Sequence, residues 1–278
     1  MKILTKSVNI INDISIGANN PLLVIAGPCV IESEAHAILM ADKLSRLAEL
    51  HKFNFIFKAS FDKANRTSIK SFRGPGIDDG LKTLKKIKDA FNIPVISDIH
   101  TPEQAGNVSE VLDIIQIPAF LCRQTDLLVK AAETGKPVNV KKGQFLSPRD
   151  VENIIEKLES AGCKNIMITE RGTSFGYNNL VVDFRSIQII QGYGYPVIFD
   201  ATHSVQLPGG GKGVSSGQSE FVETLAFAAI ASGCNGIFLE VHDNPEKALS
   251  DGPNMLNIDQ FNDLVPKLLK IRETIKKL

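Results

Sequence analysis

Phe55-Ile56-Phe57-Lys58-Ala59 is an apolar run with a lysine set into its end. Successive aromatic and β-branched side chains read as a strand buried on both faces. An ammonium directly behind them needs compensation, because desolvating an unpaired charge is costly. The same design recurs at residues 22–26, 95–98, 114–117, 138–141, 166–169, 197–200 and 236–240, each ending in or followed by groups able to hold an anion or a metal. Between the runs, apolar residues return at helical spacing, as in Ala37, Met40, Ala41, Leu44, Leu47 and Ala48, or Leu81, Leu84, Ile87 and Phe91. Strands alternating with helices imply a parallel sheet.

Eight such units in 278 residues match an α/β fold of the (β/α)8 TIM-barrel type, for which about 250 residues is typical. A doubly wound open sheet is the rival, but it gathers its ligand-binding residues in one crevice on a few strands. Here every strand end carries a polar candidate. The expectation is one barrel domain over residues 1–278, with residues 1–20 as an N-terminal extension. Within it, Val8-Asn9-Ile10-Ile11-Asn12-Asp13-Ile14-Ser15-Ile16-Gly17 alternates about Asn-Asp and reads as a β-hairpin closing the bottom of the barrel.

Hydrophobic residues make up 43% of the chain and charged residues 22%, a balance suited to burying roughly 75% of the unfolded surface at this size. No apolar run approaches the ~18 residues of a membrane span. Met1-Lys2-Ile3-Leu4-Thr5-Lys6 lacks the apolar segment and small-residue cleavage site of a secretory signal, so a cytoplasmic location is expected. With 31 basic and 31 acidic side chains the formal net charge is zero, which leaves no global field to draw nucleic acid or an anionic membrane.

Local charge is another matter. Lys58, Lys63, Arg66, Arg73, Arg123, Lys141, Lys142 and Arg171 sit at or just after expected strand ends, where a barrel builds its active site. Cations converging on one mouth repel one another unless an anion lies among them. Phosphate is the natural candidate, since Arg offers a bidentate fork and Lys a compact charge. The competing reading of any one of these residues is a solvated surface charge.

A second constellation is Cys29, His203, Glu240 and Asp251, which follow the first, seventh and eighth strands. Those strands are neighbours in a closed barrel, so a thiol, an imidazole and two carboxylates can meet as a divalent metal site of zinc, iron or manganese type. The competing readings are that Cys29 is a small core residue and that His203 only hydrogen-bonds a substrate. His100 and His242 compete as ligands. Cys122, Cys163 and Cys234 are read as reduced core residues. Pro208-Gly209-Gly210-Gly211-Lys212-Gly213 fails the nucleotide-loop pattern, having no Ser or Thr after its lysine; it reads as a lid.

Four blocks carry a resemblance: Phe57-Lys58-Ala59-Ser60-Phe61-Asp62-Lys63-Ala64-Asn65-Arg66-Thr67-Ser68; Arg73-Gly74-Pro75-Gly76; Gln116-Ile117-Pro118-Ala119-Phe120-Leu121-Cys122-Arg123-Gln124-Thr125-Asp126; and Asp200-Ala201-Thr202-His203-Ser204. In this order they resemble the 3-deoxy-D-manno-octulosonate 8-phosphate synthases, from Leu22 to the C-terminal helix. The resemblance implies a barrel transferase that condenses phosphoenolpyruvate with D-arabinose 5-phosphate and water, for lipopolysaccharide synthesis, as a homotetramer. It implies that Lys58, Lys63, Gln116, Lys141 and Arg171 hold phosphoenolpyruvate. Asn65, Arg66 and Thr67 would then receive the sugar phosphate, with Arg123 completing the site from a neighbouring subunit. Thr67 stands where Ser is usual and keeps the hydroxyl. Ala26-Gly27-Pro28-Cys29 resembles the metal-dependent form, implying Cys29, His203, Glu240 and Asp251 as ligands; the other form has Asn at the first of these positions. The catalytic candidates are Lys63, Asp98, His203 and Asp251, with His100 beside them for proton movement.

Two other functions are weighed against this one. The related synthase using erythrose 4-phosphate in the aromatic pathway normally shows Lys-Pro-Arg where this chain has Lys63-Ala64-Asn65-Arg66. A non-catalytic sugar-phosphate-binding barrel would show losses among the cations and ligands, and none is lost.

Overall fold

The computed structural model describes residues 5–11, 14–209 and 216–277. Its centre is a closed barrel of eight parallel strands: β3 (Leu23–Gly27), β4 (Asn54–Lys58), β5 (Val95–Asp98), β6 (Ile114–Ile117), β7 (Val138–Lys141), β8 (Ile166–Glu170), β11 (Val197–Asp200) and β12 (Gly236–Glu240). Closure comes from β12 pairing with β3, in register from Gly236↔Leu23 to Glu240↔Gly27. The expected runs at 22–26 and 55–59 are each displaced by one residue. The ladder to β12 begins only at Leu23, and pairing of β4 with β5 ends at Lys58↔Ile96, so Leu22 and Ala59 are buried outside it.

The helices are α1 (Glu34–His51), α2 (Ile77–Phe91), α3 (Gln104–Ser109), α4 (Thr125–Glu133), α5 (Val151–Ser160), α6 (Arg185–Gln191), α7 (Val222–Ala231) and α8 (Ile258–Lys277). In α1 the Ser33 hydroxyl accepts from His36 N–H at 3.2 Å, satisfying a first-turn donor. Ala37, Met40, Ala41, Leu44 and Ala48 form its buried stripe. Lys52 then ends the helix in the left-handed conformation, φ 57°. Each large side chain fully buried in such a stripe contributes roughly 1.5–3 kcal/mol.

A two-stranded ribbon, β9 (Thr173–Ser174) with β10 (Leu180–Val181), follows β8 and has no counterpart in the apolar pattern. The N-terminal hairpin is present as β1 (Val8–Ile11) and β2 (Ile14–Ile16), paired antiparallel; Asn12-Asp13 lie outside the described residues. Val8, Ile10 and Ile16 join Leu23, Ile25, Ile56, Ile96, Ile114, Met167, Ile198 and Phe238 in one apolar cluster. The hairpin therefore plugs the end of the barrel where the strands begin.

Gly80 shows how tightly the helical layer is set. A Cβ there would stand 2.3 Å from Phe61 Cβ, and Phe61 is fully buried. Gly→Ala inside a helix ordinarily stabilises by about 1 kcal/mol. Gly80→Ala is expected to do the reverse, because overpacking costs roughly 1–3 kcal/mol. A denaturant midpoint at or above that of the parent would show that Phe61 can move aside.

Candidate active site

Strand periodicity decides which residues reach the barrel interior. Ile56, Ile96, Ile114, Met167, Ile198 and Phe238 face inward in the apolar cluster at the plugged end. Two positions further along the same strands stand Lys58, Asp98, Gln116, Thr169, Asp200 and Glu240, all buried. On β7 the inward positions are polar at both levels. Asn139 donates to Gln116 Oε1 at 3.4 Å and accepts from the Thr169 hydroxyl at 2.7 Å, and Lys141 follows two residues later. The barrel thus changes from dry to ionic along its axis, and the ionic end opens into a cavity of about 1310 Å³.

Of the four donors expected to hold a metal, Cys29, Glu240 and Asp251 form one group, and His203 stands beside it. Cys29 Sγ is 3.2 Å from Asp251 Oδ2, and one donor atom each from Cys29, Glu240 and Asp251 lie within 4.8 Å of one another. His203 Nε2 stands 3.5 Å from Glu240 Oε1 and 3.9 Å from Asp251 Oδ2. Its Nδ1 is 2.7 Å from Asp200 Oδ2, an arrangement in which a carboxylate orients the ring and leaves Nε2 to bind. Glu240 Oε2 is buried without a hydrogen-bond partner, whereas Oε1 accepts from Lys58 Nζ at 3.2 Å. A soft thiol, an imidazole and carboxylates with a buried orphan oxygen fit a divalent ion. Burial, with Asp251 and Glu240 adding to it, pushes the Cys29 thiol well above its usual range. Burial works to raise Glu240, but His203, Lys58 and Lys63 outweigh it and hold that carboxyl low.

Lys58, Lys63, Asn65, Arg66, Thr67, Asp98, Gln116, Lys141, Arg171, His203 and Asp251 all line the one cavity. Lys141 Nζ pairs with Asp200 Oδ2 at 2.6 Å. Arg171 donates to the His203 carbonyl at 2.8 Å and to Gln206 Oε1 at 2.7 Å. Arg66 is held by the Phe72 and Leu249 carbonyls at 2.9 and 2.8 Å. Asp98 accepts from the Ser60 hydroxyl and stands 3.0 Å from His100 Nε2. Burial would raise the Asp98 carboxyl, yet His100 and Lys63 hold it low.

Three cations of the expected cluster lie elsewhere. Lys142 follows inward-facing Lys141 and so takes the opposite parity. It is fully buried, with Nζ donating to the Gly143 and Leu146 carbonyls at 3.3 and 3.2 Å and standing 3.6 Å from Glu170 Oε1. Arg73 is exposed and paired with Asp62 at 2.5 Å. Arg123 is exposed and is absent from the lining of this cavity among the described residues. Of the rival ligands, His100 pairs with Asp98 and His242 with Glu32, 3.3 Å away. Cys122, Cys163 and Cys234 are free, buried thiols.

Asp200 is the residue the sequence reading passed over. It is fully buried and accepts from Lys141, from Thr202 Oγ1 at 3.1 Å and from His203 N–H at 2.9 Å. The available signal was its inward parity at the end of a strand, three residues before a candidate ligand. Of the glycine-rich stretch, Pro208 and Gly209 line the cavity, and residues 210–215 lie outside the described residues. The segments flanking it pair, Leu207 N–H donating to the Ser216 carbonyl at 2.8 Å.

Comparison with known families gives a match to the DAHP synthetase I family over residues 3–277. The chain belongs to this family. Among its curated relatives, the 2-dehydro-3-deoxyphosphooctonate aldolase of Desulfotalea psychrophila is 57% identical over 266 residues, covering 96% of this chain and 95% of the relative. The protein of the same name from Geotalea daltonii is 58% identical, covering 96% and 98%. That from Desulfatibacillum aliphaticivorans is 55% identical, covering 97% and 99%. No helix among the described residues is long and apolar enough to cross a membrane.

Proposed function

We propose that the chain condenses phosphoenolpyruvate with D-arabinose 5-phosphate and water, giving 3-deoxy-D-manno-octulosonate 8-phosphate and inorganic phosphate, as a cytoplasmic enzyme of lipopolysaccharide synthesis. The observation that carries this reading is the near-complete coverage by relatives named 2-dehydro-3-deoxyphosphooctonate aldolase at 55–58% identity. The cavity agrees with it, having cations for two phosphorylated substrates and, in its wall, Asp251, which belongs to the group of Cys29 and Glu240 buried behind it.

In this reading Lys58, Lys63, Lys141, Arg171 and Gln116 hold the carboxylate and phosphate of phosphoenolpyruvate. Asn65, Arg66 and Thr67 take the phosphate of the sugar, which places its aldehyde toward the barrel axis. Holding both substrates in one cavity supplies the orientation a dilute encounter lacks. C3 of phosphoenolpyruvate attacks the aldehyde carbon, water adds at C2, and phosphate leaves with cleavage of the C–O bond. The fixed cations stabilise charge as it moves onto the departing phosphate. Cys29, His203, Glu240 and Asp251 would hold a divalent ion, which supplies Lewis acidity toward the water or the aldehyde oxygen. Asp98 with His100, or Asp251, would accept the proton released from water. Arg123, outside its own chain's cavity, would serve that of a neighbouring copy in a homotetramer.

Phosphate release from phosphoenolpyruvate tests the reading. Arabinose 5-phosphate should support turnover and erythrose 4-phosphate should not. A chelator should stop the reaction and added divalent metal restore it. Turnover with the four-carbon sugar alone would move the chain to the other branch of its family, and binding without turnover in metal-replete buffer would remove the catalytic reading.

A further inference from the structure

The two loops that bring Cys29 to Glu240 and Asp251 build a second group of donors beside them. Glu32 lies just beyond Cys29, His36 is in the first turn of α1, and His242 and Asp243 follow β12. One donor atom each from Glu32, His36 and His242 lie within 4.8 Å of one another. The two imidazole rings are 4.5 Å apart between centroids. Asp243 Oδ1 stands 3.0 Å from His36 Nε2 and 3.1 Å from His242 Nδ1, so a single carboxylate oxygen addresses both rings. The opposite nitrogens, His36 Nδ1 and His242 Nε2, are buried and make no hydrogen bond. The His242 side chain is only 5% exposed, and Glu32 Oε1 lies 3.3 Å from its Nε2.

Buried nitrogens without hydrogen-bond partners are uncommon and call for an explanation. Metal-binding histidines characteristically give their second ring nitrogen to a carboxylate, which leaves the first free to ligate. We propose that Glu32, His36 and His242 form a second divalent-metal site, with Asp243 orienting both imidazoles. Two imidazoles and a carboxylate suit zinc or cobalt. The ring of His242 reports the change: Asn244 N–H donates to its Nδ1 at 2.9 Å. Ligation through Nε2 moves the ring proton to Nδ1, so the Asn244 N–H gives up that bond and Nδ1–H donates to Asp243 Oδ1 in its place.

The site would act as a clamp on the loop after β12. Glu32 Oε1 also accepts from Leu249 N–H at 2.7 Å, Leu249 receives Arg66 on its carbonyl at 2.8 Å, and the adjoining Ser250 hydroxyl is 3.0 Å from Cys29 Sγ. Fixing Glu32 therefore fixes the segment that bears Asp251 and one anchor of Arg66.

Cobalt(II) titration of metal-stripped protein tests this without reference to turnover. The Cys29→Ser variant lacks the thiol of the first cluster, so any strong site it retains shows d–d absorption without thiolate charge transfer. The expectation is that it still binds one cobalt ion per chain and that Cys29→Ser/His36→Ala binds none. Glu32→Gln in the same background should weaken the ion at least about tenfold, and far-UV circular dichroism checks the fold of each. Should Cys29→Ser bind no cobalt, or bind it equally well with either second substitution present, the site does not exist.

Discussion

Lys141→Met is expected to lower kcat/KM for phosphate release by about 10²–10³-fold, the size of effect seen when one preorganised group is removed from a site that stabilises developing charge. The lysine is 6% exposed. Its Nζ lies 2.6 Å from Asp200 Oδ2, 3.3 Å from His203 Nδ1 and 3.9 Å from the centre of the Phe238 ring. Burial lowers its proton affinity below the usual range, Asp200 opposing that shift and Lys58 adding to it. Asp200 in turn is held below the usual carboxylate range against its own burial by His203 and Lys141. Removing the ammonium leaves that carboxylate in a dry site with the His203 ring, the His203 N–H and the Thr202 hydroxyl as its remaining partners. Breaking a buried pair from one side costs roughly 3–5 kcal/mol, so the thermal midpoint should fall as well. Lys141→Met/Asp200→Asn separates the two effects, since deleting both charges should recover much of the stability and none of the rate. A Lys141→Met enzyme with the parent's kcat/KM would take this residue out of the phosphoenolpyruvate site.

The barrel was legible because its strands are buried on both faces, so each appears as a compact apolar run with little competition from local propensity. Strand ends were legible to within a residue, the error at 22–26 and 55–59 arising because burial continues past the last ladder pair. Parity was the part left unused. Lys141 and Lys142 are adjacent and equally basic, yet period-two alternation sends one to the cavity and the other behind the barrel wall. Counting in steps of two from Ile198 would likewise have placed Asp200 inside. The ribbon of Thr173–Ser174 with Leu180–Val181 could not be read, because two-residue strands carry no periodicity. Nor could the group of Glu32, His36 and His242, whose members are brought together only by the pairing of β12 with β3. Arg123 and Arg73 show the limit of reading position as destination: both follow strands, but exposed loops leave their side chains free to turn away from the mouth.

Cys29→Asn should lower the divalent-metal content of the purified protein by one equivalent per chain while leaving the barrel intact. The thiol is fully buried, 3.0 Å from the Ser250 hydroxyl and 3.2 Å from Asp251 Oδ2, and it is the one soft donor of its cluster. Outer-shell partners of a metal contribute about 10–100-fold to affinity, and loss of a ligand itself should exceed about 100-fold. The scaffold does not depend on the sulfur. Lys58 Nζ donates to the Cys29 carbonyl at 2.9 Å, and Ser60 N–H reaches the same oxygen at 3.3 Å. Both bonds survive the substitution, and an amide can still hydrogen-bond Ser250 and Asp251. The metal-free forms of parent and variant should accordingly unfold within a few degrees of each other. Phosphate release by the variant should respond far less than that of the parent to chelator and to added divalent ion. A variant that keeps its full metal content after dialysis would show that the sulfur at position 29 is not a ligand, and would leave His203, Glu240 and Asp251 to account for the ion alone.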